Sequence, residues 1–415
     1  MSELSNRRQK LFDLLPEGSL AIVHSGVSKI ASEDELYPFK VNNDFFYLTG
    51  FRQENSVLLL VKGIGEEKAY LFIDEYSELK EKWTGKRFTM GEAAVISELK
   101  NVLINGTLDS KIDLAIQKGS LHFGEIKTVF IDHRAALHVR ENFTVQDEKE
   151  RLRNLYPHVE FKDIHPLITE LRMVKSKYEV ACIQEAINLT TLGINKILNE
   201  MKSGRREYEL ADIFEFYGRE LERTELAFST IIAGGANATI LHYPSQMDFL
   251  KEKDLVLFDL GYTHRGYCAD ISRTYPVSGR FSDLQKKIYE IVLLCNKAVI
   301  EYARIGLTIA DLQNFTLEFF TNELTRQGLM KKDEDIKKYY YHNVSHHLGL
   351  DTHDAADRFK PLESGNVITV EPGLYFEEYG IGIRIEDDIL ITNDGVEVLS
   401  RNIKKDIADI EKMLR

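Results

Sequence analysis

The chain is poor in cysteine, tryptophan and proline: three Cys, one Trp and eight Pro in 415 residues. Cys182, Cys268 and Cys295 lie far apart and form no CxxC pair. That excludes a disulfide scaffold and fits a reducing compartment. Pro and Gly are too sparse for a disordered chain. No apolar run approaches the roughly 18 residues of a membrane span. Positive charge is also short, since the formal net charge is −13. This argues against non-specific nucleic-acid binding and against an anionic membrane surface. The first residues, MSELSNRRQKLFDLLPEG, hold no apolar signal core and read as a short amphipathic helix. The expectation is a cytoplasmic protein with neither nucleic-acid nor membrane partners.

What the chain does have is globular composition, 43% hydrophobic and 29% charged, over a length sufficient for two domains. Residues 1–165 alternate strand and helix signals. SLAIVHS, FFYLTGF, SVLLLV, KAYLFID and TVFID read as buried strands, and EAAVISELKNVL and QDEKERLRNLY as helices. This predicts a small α/β domain. The stretch DIHPLITELRMVKSK forms the junction. Residues 166–415 open with helices over 178–201 and from 207 to about 224. Strands follow at 228–232, 255–260 and 267–275, then helices at 282–304 and 308–327. Strands at 367–371, 381–386, 388–392 and 396–399 close the chain, the last two joined by a turn at Thr392-Asn393-Asp394-Gly395. The pattern predicts an α+β domain with a curved antiparallel sheet.

Five residues of this second half are out of place. Asp259, Asp270, His346, Glu371 and Glu386 sit in LVLFDLG, YCADISRTY, HNVSHHLGLDTHD, ITVEPGLYF and GIGIRIEDD. A carboxylate ending an apolar run such as LVLF must be paired, protonated or metal-bound if buried. Four acids converging without a cation make six pairs at roughly 5 Å. At an effective dielectric of about 20 they repel by about 20 kcal/mol in all. The stability of a whole domain is about 5–15 kcal/mol. Divalent cations turn that liability into a site. Strand alternation puts Arg384, Glu386 and Asp388 on one face, and Cys268, Asp270, Ser272 and Thr274 on another. Oxygen-rich ligation with one imidazole suits Mn(II), Fe(II), Co(II) or Zn(II).

Each residue alone has an ordinary explanation. A strand-end Asp is commonly a cap, Glu371-Pro372-Gly373 is turn chemistry, and Glu386 can pair with Arg384. His346 beside His347 reads as a surface pair, His242 as a loop histidine and Trp83 as a packing residue. The joint pattern is more specific than any member.

DLG…ADISRTY…SHHLGLDTHD…EPG…RIED resembles the metallopeptidases of the pita-bread fold, over about residues 170–415. That group includes methionine aminopeptidase, Xaa-Pro aminopeptidase and Xaa-Pro dipeptidase. The resemblance implies two divalent ions, manganese foremost, with Co, Fe or Zn as alternatives. Asp259 would bind one, Asp270 and Glu386 both, and His346 and Glu371 the other. It also implies that Glu371 shuttles a proton, that His353 and His242 face the reacting group, and that His342, Tyr375 and Arg384 line the site. His347 would not be a ligand.

The N-terminal domain resembles that of creatinase, prolidase and aminopeptidase P. VNNDFFYLTGF is similar to the motif of longer aminopeptidase P enzymes, although those begin it with Arg-Gln and place Ser before Asp-Phe. Trp83, in EKWTGKR, resembles the loop that reaches the active site, often from a neighbouring subunit. A homodimer or tetramer is implied by the same analogy. The expected activity is cleavage between an N-terminal residue and a following proline. The rivals are an Xaa-Pro dipeptidase and a non-catalytic peptide-binding member of the fold.

Overall fold

Every side chain of Ser19–His24 is buried, as are all but the last of Val57–Lys62. Burial on both faces explains why these runs are continuously apolar rather than alternating. They are β1 and β2, the central strands of a six-stranded sheet in the computed structural model, which describes residues 2–117, 122–134, 138–140, 143–221 and 224–414. With β3 (Glu67–Ile73), β4 (Val102–Ile104), β5 (Thr128–Ile131) and β6 (Glu160–Asp163), the order is β4-β3-β2-β1-β5-β6. The sheet is mixed: β1 is antiparallel to β2 and parallel to β5. This is the core of one of two compact units, Met1–Leu171 and Arg172–Arg415. The boundary expected after residue 165 falls in the first turn of the helix His165–Met173, because the junction sequence itself is helical.

One expected strand of the first unit is a helix. The first five residues of FFYLTGF fold within α2 (Asn43–Thr49). Asn42 caps it by accepting from the Asp44 N–H at 2.8 Å, and Gly50 ends it at φ 62°. Arg7 and Arg8, on α1 (Glu3–Leu14), donate to the terminal carbonyls of Tyr47 at 3.0 Å and Leu48 at 2.8 Å. Those bonds satisfy acceptors that a helix end leaves open, and they outweigh the β preference of the aromatics. Trp83 lies in α3 (Glu78–Thr84) of this unit, 82% exposed.

The second unit begins with α4 (Lys177–Glu200), set by a Ser176–Glu179 capping box, and α5 (Glu207–Glu220). Close approach needs glycine here: a Cβ on Gly218 would lie 2.4 Å from the Tyr262 ring, which stacks on Phe214 at 4.1 Å. Strands β7 (Ile231–Gly234), β8 (Leu255–Leu260) and β9 (Ile271–Pro276) pair in the order β9-β8-β7. Helices α6 (Asp283–Tyr302) and α7 (Ile309–Arg326) come next. Besides the short hairpin of Thr263–His264 with Tyr267–Cys268, the later strands are β10 (Val367–Val370), β11 (Gly373–Phe376), β12 (Ile381–Arg384), β13 (Asp387–Thr392) and β14 (Gly395–Val398). They pair as β10-β13-β14 and β11-β12, and all these ladders are antiparallel, as expected.

The ladders break at three of the four acids, Asp259 alone lying within a strand. The strand expected over 267–275 is interrupted at Ala269 and Asp270, and the one expected over 381–386 stops at Arg384. Glu371 falls between β10 and β11. Thr274 bridges β9 to β12, accepting from the Arg384 N–H and donating to the Arg384 carbonyl, both at 3.2 Å. The Glu386 N–H donates to the Ser272 carbonyl at 3.0 Å. These cross-links bring side chains from separate ladders into one row.

Candidate active site

Asp259 is the penultimate residue of β8, directly opposite Ser272 of β9. Asp270 sits in the gap before β9, and its N–H donates to Asp388 Oδ2 at 3.2 Å. Glu386 sits in the gap before β13, where its Oε2 accepts from Ser272 Oγ at 2.8 Å. His346 reaches the same place from the loop before β10. Its N–H donates to Thr369 Oγ1 at 3.2 Å, and its carbonyl accepts from the Thr369 N–H at 2.9 Å. The His346 Nδ1 faces the His347 carbonyl at 3.0 Å, so Nδ1 carries the proton and Nε2 is left as a donor of electrons. Nε2 lies 3.3 Å from Asp270 and 3.5 Å from Glu371.

Among the described residues, Asp270, His346 and Glu386 each offer an atom within 4.8 Å of the others. Asp270 and Glu386 are only 5% and 2% exposed. Burial pushes the Asp270 carboxyl well above its ordinary range, helped by Asp259 and Glu371. Burial and then Asp270 and Asp259 do the same to Glu386. Glu371 rises to about 8, through burial and then Glu386. Asp388, behind Asp270, is raised by burial and by Asp270, and its Oδ1 has no hydrogen-bond partner. Acids that resist ionisation together are a donor set short of positive charge. Oxygens plus one oriented imidazole fit divalent transition ions, so the residues suit the expected metal.

Arg384 supplies one positive charge. Burial works against it, but Tyr375, Asp259, Glu371 and Glu386 together raise its pKa well above the ordinary value. Its guanidinium donates to Asp259 Oδ2 at 2.5 Å, Ser272 Oγ at 2.7 Å and Tyr375 Oη at 3.0 Å. Arg384 therefore pairs with Asp259, not with Glu386 as strand alternation alone allowed. Tyr375 lies 2.9 Å from His342 Nε2, while His342 Nδ1 donates to the Asn343 carbonyl at 2.8 Å. Burial, then Arg384, drives the His342 imidazole down to about 3, so it is neutral and accepts from Tyr375.

The His353 ring packs against that of His346, tilted by 53° with the centroids 4.2 Å apart. Although the residue is exposed overall, partial desolvation of its ring lowers its pKa, with His346 and His242 adding to the effect. His242 is on the loop after the short 3-10 turn Gly235–Thr239. His347 is buried, and its pKa falls to about 3 through burial and then Lys175; it is outside the three-residue cluster. Trp83 belongs to the first unit. Sequence alternation placed Ser272 and Asp388 on the polar faces without giving them a role. Thr369 and Glu207 it missed. Glu207 is completely buried and accepts from the N–H groups of Gly234 at 2.7 Å and Asp248 at 3.1 Å and from Asn237 Nδ2 at 2.9 Å, bracing the His242 loop. An acid near the start of an amphipathic helix gives no signal that it points inward.

Comparison with known proteins agrees with this geometry. Residues 181–393 match metallopeptidase family M24, and residues 4–122 match the aminopeptidase P N-terminal domain. An Xaa-Pro aminopeptidase of Haemophilus influenzae is 34% identical, covering 99% of this chain and 97% of that protein. The mitochondrial intermediate cleaving peptidase 55 of Arabidopsis thaliana is 31% identical, over 100% and 83%. Among solved structures, proline aminopeptidase P II of Yersinia pestis superposes with TM-score 0.89 at 31% identity, covering 100% of this chain and 99% of that one. A zinc-substituted Escherichia coli aminopeptidase P in complex with product gives 0.88 at 29%, over 100% and 98%. The chain belongs to metallopeptidase family M24 and carries the N-terminal domain of aminopeptidase P.

Proposed function

We propose that this metallo-aminopeptidase removes the residue preceding proline from peptide N-termini. Asp259, Asp270, His346, Glu371 and Glu386 would hold two divalent ions, manganese foremost. The observation that carries the reading is the convergence of Asp270, His346 and Glu386 within 4.8 Å, with the two carboxyls pushed up by burial and then by neighbouring acids, Asp259 and Glu371 for Asp270, Asp270 and Asp259 for Glu386. When bound, such ions make water acidic enough to act as a nucleophile near neutral pH and polarise the peptide carbonyl.

The protein's own groups do the rest. Glu371 takes a proton from the attacking water and passes it to the leaving nitrogen. That transfer matters because the scissile X–Pro bond is a tertiary amide, whose nitrogen bears no hydrogen until it leaves. His353 and His242 donate to the oxygen that gains charge. Arg384 orients Asp259, and Tyr375 and His342 extend the same chain of hydrogen bonds along the wall. The exposed ring of Trp83 suits contact with a peptide or with another subunit, in line with a homodimer or tetramer. A count of only three cysteines, all of them buried, favours a cytoplasmic location. No helix among the described residues is long and apolar enough to cross a membrane.

Two relatives' names set the question for experiment. Manganese-loaded protein is given Xaa-Pro-Xaa, Xaa-Pro and Xaa-Ala-Xaa peptides, with metal content measured in parallel. Release of the first residue from Xaa-Pro-Xaa supports the reading. Turnover of the dipeptide alone means an Xaa-Pro dipeptidase. Equal turnover without proline means an aminopeptidase that does not require it. No metal and no hydrolysis means a binding protein.

A further inference from the structure

The segment from His346 to Asp354 carries two imidazoles of the proposed site, and its two ends are tied down by different means. His346 is fixed through its backbone by Thr369. His353 has no such ladder partner: residues 348–353 hold no helix or strand, and His353 is exposed. The next residue, Asp354, is buried. Its side chain is 1% exposed, as is that of Lys175, and Arg172 is 3% exposed.

Asp354 Oδ1 accepts from Arg172 Nη2 at 2.6 Å, and Oδ2 accepts from Lys175 Nζ at 2.9 Å. Arg172 Nη2 also reaches Asp351 Oδ2 at 2.7 Å, which ties a second point of the same loop. The Asp354 N–H donates to the His347 carbonyl at 2.9 Å. The carboxylate is wedged over Gly349, where a Cβ would lie 2.2 Å from Oδ2. The two cations are themselves held in place. The Lys175 N–H donates to the Gly365 carbonyl at 2.8 Å, and Asn366 Nδ2 donates to the Met173 carbonyl at 3.1 Å.

A buried ion triad of this kind adds little net stability over apolar packing, so stability alone does not account for it. What it does supply is direction. Charged hydrogen bonds in a dry setting hold a carboxylate in one orientation, and the residue joined to it turns with it.

We propose that Arg172 and Lys175, gripping Asp354, are positioning residues that hold the adjoining His353 where the reacting oxygen needs its donor. The proposal rests on the functional role of His353 in the proposed peptidase reaction. The triad is covalently next to His353, whereas His346 keeps its own backbone bonds to Thr369, so its effect falls on turnover more than on metal binding.

A double-mutant cycle separates this from a merely structural role. Wild type, Lys175→Met, His353→Ala and the double variant are loaded with manganese and assayed on an Xaa-Pro-Xaa peptide below their melting temperatures. Lys175→Met lowers kcat by about 10-fold or more, with KM within about 2-fold and full metal content. The double variant is no slower than His353→Ala alone, because both changes remove one and the same contribution. Losses that multiply, a kcat within about 2-fold of wild type, or metal content that falls with activity each overturn the proposal. Should Lys175→Met fail to fold, Arg172→Lys carries the same cycle: it keeps the charge and withdraws the nitrogen shared by Asp351 and Asp354. Wild type inactive on every Xaa-Pro peptide is a failure of the parent reading. Active wild type with multiplying losses is a failure of this one alone.

Discussion

Arg384 and Asp259 come from different ladders, yet Nη2 of one lies 2.5 Å from Oδ2 of the other. The same guanidinium holds Ser272 and, through it, Glu386. One cation thus aligns two acids that would otherwise repel. Lysine cannot replace it, since an ammonium lacks the planar fork. Arg384→Lys forfeits at least two of three hydrogen bonds to polar or charged partners. At about 1.5 kcal/mol each, kcat/KM falls by roughly 100-fold. Steady-state kinetics on an Xaa-Pro-Xaa peptide checks this, and a change under about 5-fold contradicts it.

Asp270→Asn separates the structural cost of the acid cluster from its use. Asp270 is pushed up by burial, Asp259 and Glu371, so removing its charge relieves repulsion in metal-free protein. The chelated variant therefore melts at a higher temperature than chelated wild type. With metal added the order reverses, because a ligand has gone, and activity is abolished. Calorimetry with and without chelator reads both signs. A variant less stable than wild type in chelator contradicts the argument.

The four acids stood out in the sequence because each sits in a short apolar or Gly-bounded segment, His346 because it belongs to the motif SHHLGLDTHD, and alternation told which neighbours share a face. Arg384, Glu386 and Asp388 do point toward the acids, while Asp387 turns to Arg273 and Lys405 on the opposite side. The α2 helix was not legible: its aromatics read as strand, and the bonds from Arg7 and Arg8 that favour helix come from a different part of the chain. The supports of the site were hidden for the same reason. Thr369, Glu207 and the Arg172–Asp354–Lys175 triad act through partners far away in sequence, and no local pattern marks them. The strand breaks were also missed, since a gap of one or two residues leaves the apolar period intact.

Glu207→Gln tests one such support. The side chain accepts from three neutral donors, so an amide nitrogen in place of one oxygen sets donor against donor. An unmet buried donor costs about 1–3 kcal/mol. In a unit of this size that lowers the melting temperature by about 2–4 °C per kcal/mol. The loop it braces carries His242, so kcat falls several-fold as well. Glu207→Asp, which keeps the charge but shortens the reach, recovers less than the wild-type value. Melting curves and kcat measured on the same samples check both effects, and an unchanged melting temperature rejects the bracing role.

Stability of the metal-free protein should depend on pH with a definite sign. Glu371 is raised from its ordinary 4.5 to about 8, by burial and then Glu386. Between those values the folded state holds a proton that the unfolded state has released. Unfolding free energy therefore falls as pH rises through this window, by up to a few kcal/mol from this group alone. Asp270 and Glu386, raised in the same direction, steepen the loss. Bound cations favour the ionised carboxylates and remove the reason for the proton. Metal-loaded protein should then show a flat profile over the same range, and the stabilisation conferred by metal should grow with pH. Denaturant titrations from about pH 5 to about pH 8, with manganese or with chelator, measure the two curves. Parallel curves would mean that the buried acids are neutralised by something other than the ions, and that the cluster is not the metal site.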